Sequence, residues 1–116
     1  MSRDPHALTF EALANPERRR MLDLVHDHPG IHIAALASHF AMSAVAVLKH
    51  VRLLEEAGLL HSERTGRERR LWFDPMPIQA IYDRWTTRYS AYFASAVSDI
   101  KARVEARTAA KKVRRA

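Results

Sequence analysis

The sequence predicts a mainly helical domain with one small β-hairpin, and three observations carry this prediction. Apolar residues recur every three or four positions through most of the first 57 residues, which is the period of an amphipathic helix. Over residues 59–74 the period changes, and two short strand-like runs flank a glycine. From Ile78 to about Arg107 there is neither glycine nor proline, which predicts one long final helix.

The first two helices are predicted from the signals at their ends. A short first helix covers Leu8–Leu13, and a second begins after Asn15, whose side chain is a good N-cap. Pro16 suits the first helical position, and the run at residues 28–30, His-Pro-Gly, ends the helix.

Two further helices follow with a tight turn between them. They are predicted at Ile33–Phe40 and Ala44–Ala57, so only residues 41–43 separate them. Ser43 is a good N-cap, and Gly58 can take the left-handed conformation that closes a helix. A three-residue turn between two amphipathic helices is the helix-turn-helix arrangement, in which the second helix, here 44–57, is the recognition helix.

A β-hairpin is predicted directly after the recognition helix. Its strands are Leu59–Thr65 and Arg69–Asp74, with residues 66–68 at the tip. Four arginines and one glutamate at positions 64–70 give this segment a charge of +3. A basic hairpin here is typical of a wing that contacts phosphates or the minor groove, and a solvated hairpin is the alternative. Together the elements predict a winged helix-turn-helix.

The long final helix predicts a second subunit. Its apolar residues recur every three or four positions and include several aromatic rings. About thirty residues at ~1.5 Å each span about 45 Å, whereas a domain of this size has a radius of gyration of only ~13 Å. The chain alone cannot bury such a face, unless the helix breaks in two and folds back.

The net charge favours an anionic partner but does not locate it. The chain carries +6, residues 75–116 alone sum to +6, and the last six residues hold four positive charges. We therefore expect the domain to cover residues 1–107 and residues 108–116 to form a basic, disordered tail. No signal-peptide run or membrane-spanning stretch is present, so we expect a cytoplasmic protein with no membrane partner.

Catalysis and metal binding find little support. There is no glycine-rich phosphate loop, no nucleophile–base spacing and no pair of carboxylates in an apolar context, so we expect neither an enzyme nor a cofactor. The absence of cysteine excludes disulfides and thiolate metal sites. His26, His28 and His32 lie close together in sequence; a metal cluster is one interpretation and solvated loop histidines are the other.

Two segments resemble the ArsR family of winged-helix repressors. They are FEALANPERRRMLDLV at positions 10–25 and IAALASHFAMSAVAVLKHVRLLEEAGLLHSERTGRERRLWFD at positions 33–74. The resemblance implies a homodimer, held by the first and last helices, that represses promoters by occupying a palindromic operator. With no cysteine and no histidine after His61, the chain is similar to a subgroup without the common metal-sensing motifs. The implied dimer interface consists of Leu8, Ile81, Trp85, Tyr89, Tyr92, Phe93 and Val97.

The predicted partners are double-stranded DNA and a second copy of the chain. The expected DNA contacts lie on the recognition helix and the wing, and they are Ser43, Ala44, Val45, Ala46, Lys49, His50, Arg52, Arg64, Arg67, Arg69 and Arg70. Because the recognition helix starts with apolar residues, we expect phosphates, the wing and thymine methyls to dominate the readout. A solvated helix face explains Arg18, Arg19 and Arg20 better than phosphate contacts do.

Two other functions stay open at this point. The apolar start of the recognition helix also suits a winged-helix module that binds protein instead of DNA. A repressor tuned by an unidentified small molecule or metal is a further alternative, because the aromatic final helix could border a pocket.

Overall fold

The computed structural model describes residues 4–115, with side chains through Val113. The elements along these residues are α1 (Ala7–Leu13), α2 (Pro16–Asp27), β1 (Ile31–His32), α3 (Ile33–Ala37), α4 (Ala44–Glu56), β2 (Leu60–Thr65), β3 (Glu68–Phe73) and α5 (Met76–Arg115). This order confirms the predicted winged helix-turn-helix. The chain divides into two compact units, Met1–Ile81 and Tyr82–Ala116. The outer ends of the predicted domain and tail, residues 1–3 and 116, lie outside the described residues.

α2 begins and ends where the local signals predict. The Asn15 side chain accepts hydrogen bonds from the backbone N–H groups of Glu17 (2.8 Å) and Arg18 (3.1 Å). These are two of the amides that have no partner inside a helix. Pro16 is the first helical residue. Beyond the other end, Gly30 has a φ of +80°, a conformation that favours glycine and leads the chain into β1.

The core lies inside the first unit, where α2 and α3 contact β3, and α4 contacts α2 and β2. Its fully buried large side chains are Met21, Val25, Leu36, Val47, Val51, Leu54, Leu59, Leu60 and Leu71. Burying one such side chain stabilises a fold by about 1.5–3 kcal/mol. The cluster therefore holds the helix-turn-helix and the hairpin together as one body.

The hairpin belongs to a three-stranded antiparallel sheet with the order β1-β3-β2. The sequence predicted only β2 and β3. Ile31 of β1 pairs with Leu71 of β3, and the Gly30 N–H donates to the Leu71 carbonyl at 2.9 Å. A strand of two residues has no alternation to reveal it, because what defines it is pairing with a segment 40 positions away.

The helix-turn-helix has a longer connection than predicted. α3 ends at Ala37 instead of Phe40, so residues 38–43 join it to α4. Beyond its end the backbone N–H groups of His39 and Phe40 donate to carbonyls three residues back, and the Ser38 hydroxyl donates to the Ala35 carbonyl at 2.6 Å. Such tight turns keep the spacing of the apolar residues, so Phe40 still packs in the core at 7% exposure.

Ala41 lies in the turn between α3 and α4. All described residues with positive φ are glycines, at positions 30, 58 and 66. The turn therefore uses backbone conformations open to alanine, and no left-handed strain arises there. Gly58, with a φ of +74°, closes α4 as the sequence predicts.

α5 is longer at both ends than predicted. It begins at Met76 instead of near Ile78, and it continues to Arg115 instead of ending near Arg107. The helix is continuous, so the alternative in which it breaks and folds back is not adopted. The predicted tail is helical as far as it is described. Its disorder in solution stays a prediction.

Candidate nucleic-acid interface

α4, the predicted recognition helix, is fixed at its start by Ser43. The Ser43 Oγ accepts a hydrogen bond from the Ala46 backbone N–H at 3.1 Å, which makes Ser43 the N-cap. One side of the helix is buried in the core. Because the cap uses an oxygen lone pair, the Ser43 O–H group can still donate to a neighbouring molecule.

The opposite side of α4 is exposed and carries Val45, Lys49 and Arg52. These residues are four and three positions apart, so they lie along one face of the helix. Val45 is 64% exposed, which is high for a branched apolar side chain. Ala44 is also exposed, and Ala46 is half-buried. This face offers two cations and an apolar start, as the sequence predicts.

His50 lies on the flank of α4 and is half-buried. Its Nδ1 is 3.2 Å from a terminal nitrogen of Arg18 on α2. The sequence predicts His50 as a DNA contact but holds no sign of this partner, because the two residues are 32 positions apart.

The three consecutive arginines of α2 make internal contacts, so the interpretation as a simple solvated face is incomplete. Arg18 and Arg19 donate to carbonyls at the end of α1, where Arg19 reaches the Leu13 carbonyl at 2.6 Å. The Arg20 guanidinium lies 4.9 Å from the centre of the Phe40 ring, within cation–π range. Arg18 and Arg20 therefore contact residues of the helix-turn-helix, and Arg19 contacts the end of α1.

The wing consists of β2, β3 and the turn at Gly66 and Arg67. Gly66 has a φ of +64°, so the tip uses the conformational freedom of glycine. Arg64 pairs directly with Arg69 across the two strands. Like charges at directly opposite positions destabilise a sheet. An anion bound beside this pair would remove that repulsion.

The four arginines of the wing differ in their local partners. Arg69 lies 3.7 Å from the Glu55 carboxylate of α4, and Arg70 pairs across the strands with Glu63. Arg64, Arg67 and Arg70 are exposed and make no ion pair with any residue that the structure describes, but only Arg70 has a carboxylate residue opposite it in the sheet. Arg64 and Arg67 are therefore the best placed for an external anion.

Glu55 is not among the functional residues that the sequence predicts. One of its carboxylate oxygens is near Arg69, and the other is buried without a hydrogen-bond partner in the described structure. A buried, half-satisfied carboxylate is costly unless a cation stays close. Glu55 therefore ties Arg69 to the recognition helix and joins the wing to α4.

His26, His28 and His32, which are close together in sequence, lie at the end of α2, after it and in β1. No group of three or more potential metal ligands occurs anywhere between residues 4 and 115. His26 contacts Asp27 and the Phe73 ring, while His32 lies 3.6 Å from Glu68. The geometry therefore favours separate histidines over a cluster.

Asp74 links the wing to the start of α5. One carboxylate oxygen accepts from the Met76 backbone N–H at 2.9 Å, and the other is 2.8 Å from His61 Nε2 on β2. The hydrogen bond with His61, followed by the one with Met76, lowers the pKa of Asp74 below its ordinary value of 3.8. Neither contact was predicted.

α5 carries exposed apolar side chains along most of the second unit. Tyr92 is 71% exposed and packs edge-on against Phe93, with ring centres 5.7 Å apart. The other predicted interface residues on this helix are also exposed, except half-buried Ile81, and they are Trp85, Tyr89 and Val97. Leu8 on α1 is 47% exposed. Contiguous exposed apolar surface of this kind marks an interaction site.

No helix in the described part of the chain is long and apolar enough to cross a membrane.

Comparison with known proteins agrees with the fold. A profile for a helix-turn-helix domain matches residues 13–63. The chain is 29% identical over 82 residues to YuzN, an uncharacterized HTH-type transcriptional regulator of Bacillus subtilis (strain 168), covering 66% of this chain and 89% of that protein.

Solved structures agree as well. One, of a possible transcriptional regulator for arsenical resistance, shares 30% identity with a TM-score of 0.59, covering 78% of this chain and 93% of that one. Another, of an ArsR family transcriptional regulator, shares 25% identity with a TM-score of 0.68, covering 77% and 97%. The chain belongs to the ArsR family of winged helix-turn-helix, DNA-binding transcriptional regulators, which are not enzymes.

Proposed function

We propose that this regulator is a homodimeric repressor that binds a palindromic operator through the recognition helix 44–57 and the wing 64–70. The observation that carries the proposal is the exposed face of α4, where Val45, Lys49 and Arg52 lie in one row. A helix of this kind fits the major groove, with its N-terminal residues nearest the base edges.

The wing supplies the second part of the DNA contact. Arg64 and Arg67 are exposed cations without an internal partner in the described structure, and Arg64 also faces Arg69. Phosphates would neutralise these charges and release counterions, which gives an affinity that falls with salt. Arg69 contributes less, because Glu55 already balances its charge.

A gel shift with the DNA upstream of the chain's own gene tests this assignment. Replacing Arg64 and Arg67 with alanine should weaken binding and lower the slope of log affinity against log salt by about 0.9 for each phosphate that is no longer neutralised. Replacing Arg103 and Arg107 of α5 removes the same charge and is the matched control. Equal losses of affinity in the two double variants would refute the wing assignment, and no salt-dependent binding to any duplex would refute the function.

The proposed dimer uses the first and last helices. Trp85, Tyr89, Tyr92 and Phe93 recur at helical spacing and stay exposed, so a second copy of α5 is the simplest surface to cover them. Tyr92→Glu should give monomers in sedimentation velocity. Ser98→Glu, on the opposite side of the helix by spacing, should leave the dimer intact, and a wild-type monomer would refute the proposal.

A symmetric dimer accounts for the palindrome and for repression. Two recognition helices related by a two-fold axis need inverted half-sites about one helical turn apart. Footprinting the bound duplex should show two such half-sites overlapping a promoter, and deletion of the gene should raise expression from that promoter. A single, asymmetric footprint or a fall in expression would contradict this part.

A further inference from the structure

The guanidinium group of Arg18 makes three contacts with other residues. Its Nε donates to the Ala12 carbonyl at 2.8 Å, and one terminal nitrogen donates to the Glu11 carbonyl at 2.9 Å. The other terminal nitrogen is 3.2 Å from His50 Nδ1 on α4. A planar group fixed by two carbonyls of α1 has little freedom left, so its third contact is fixed in direction.

The contact with Arg18 determines the protonation pattern of the His50 ring. A guanidinium has five N–H donors and no acceptor, so Nδ1 of His50 must accept and carries no proton. The proton of the neutral ring is then on Nε2. Nε2 is not among the buried polar atoms without a partner, and no hydrogen bond involving it is seen within residues 4–115. It is therefore a donor open to solvent.

We propose that Arg18 is a positioning residue for DNA binding, which holds His50 as the Nε2–H tautomer so that its outer nitrogen donates to a hydrogen-bond acceptor on DNA. The proposal rests on the proposed function, because it needs α4 on the DNA. His50 follows Lys49 directly on α4, about 100° around the helix from it, and is half-buried. A ring in the other tautomer would present a bare nitrogen there, which repels phosphate oxygens instead of binding them.

Arg19 provides a matched control. It is the next residue of α2, it also donates to a carbonyl at the end of α1, and its contacts do not include His50. Arg18→Met and Arg19→Met remove the same charge and the same kind of contact with α1. Only the first also removes the contact with α4.

The test uses the full chain and the duplex that it enriches from a randomised DNA pool. Long-range ¹H–¹⁵N spectra should show His50 with a bare Nδ1 in the wild-type chain and in Arg19→Met, and should show mixed tautomers in Arg18→Met. Affinity should fall about tenfold in Arg18→Met, which is about threefold for the hydrogen bond of each subunit in the dimer. Arg19→Met should stay within about twofold of wild type.

Variants at His50 keep the test valid if Arg18→Met does not fold. His50→Gln can accept from Arg18 and donate outward, so it should keep most of the affinity, whereas His50→Leu should lose about tenfold. A proton on Nδ1 in the wild-type chain, equal affinity in Arg18→Met and wild type, or equal loss in His50→Gln and His50→Leu would each overturn the proposal. Failure of the wild-type chain to enrich any duplex would instead refute the proposed function.

Discussion

Val45 gives the sharpest test of how this regulator reads its operator. The side chain is 64% exposed at the first turn of α4, and exposed Ala44 precedes it. Neither side chain has a hydrogen-bonding group, so the base edge they can recognise is the C5 methyl of thymine. Deoxyuridine lacks only that methyl, so its substitution for thymidine perturbs the DNA and leaves the protein unchanged.

The expected loss of binding free energy follows from the single methyl group that each uracil substitution removes. Removing one buried methyl costs about 0.8 kcal/mol. In a dimer the contact occurs twice, so the loss is about 1.6 kcal/mol, or about 15-fold in affinity. Competition gel shifts with one symmetric pair of thymines replaced at a time should find one pair with this effect.

Val45→Ala closes a double-mutant cycle with the uracil duplexes. The variant should bind the thymine duplex more weakly and should lose most of its sensitivity to uracil at that pair. Equal sensitivity of Val45→Ala and wild type to every uracil substitution would refute the reasoning. If uracil had no effect on the affinity of either protein at any position, thymine methyls would not contribute to recognition, and contacts to phosphates and from the wing would account for binding.

Four further predictions follow from the caps, the core and the tail. Ser43→Ala should lower the free energy of unfolding by about 1 kcal/mol in urea titrations, whereas Ser43→Asp should keep the cap and weaken DNA binding; equal stability of both would refute the capping role. Leu71→Ala, at a fully buried position of the sheet, should cost about 2–5 kcal/mol in the same titrations, and a cost within error of zero would refute its place in the core. Because the pKa of Asp74 is lowered in the folded state, its contribution to stability is present above pH 3.8 and is lost as the pH falls through the lowered value. The free energy of unfolding of Asp74→Asn should therefore fall less steeply with decreasing pH in the acid range than that of the wild type. An unchanged slope in this range would contradict the reasoning. Removing residues 108–116 should leave thermal unfolding and operator preference unchanged and reduce only non-specific DNA binding, and a lost fold or preference would place the tail inside the domain.

The elements that the sequence predicts well are those whose signals are local. Asn15 and Ser43 cap helices within three residues of themselves, and Gly58 supplies the left-handed turn at the end of α4. The order of helices and hairpin follows from periods that need no knowledge of the rest of the chain. The fold class could therefore be predicted almost completely.

The features that the sequence did not reveal are contacts between distant residues. The partner of His50 is Arg18, and the partner of Arg69 is Glu55. In the sequence, each of these residues is of a type that is common at a protein surface, and only the fold brings the two members of each pair together. Sequence alone therefore cannot rank the predicted DNA contacts, whereas the structure separates exposed, unpaired arginines from those with an internal partner.

The pairing of β1 with β3 has a consequence for how operator preference can change. Because the Gly30 N–H and Ile31 anchor the wing to Leu71, and Glu55 ties Arg69 to α4, the position of the hairpin does not depend on Arg64 and Arg67 near its tip. Substitutions at the tip should therefore leave the position of the hairpin unchanged. We expect that residues 64–67 can diverge, or be exchanged between relatives, while the hairpin keeps its place beside α4.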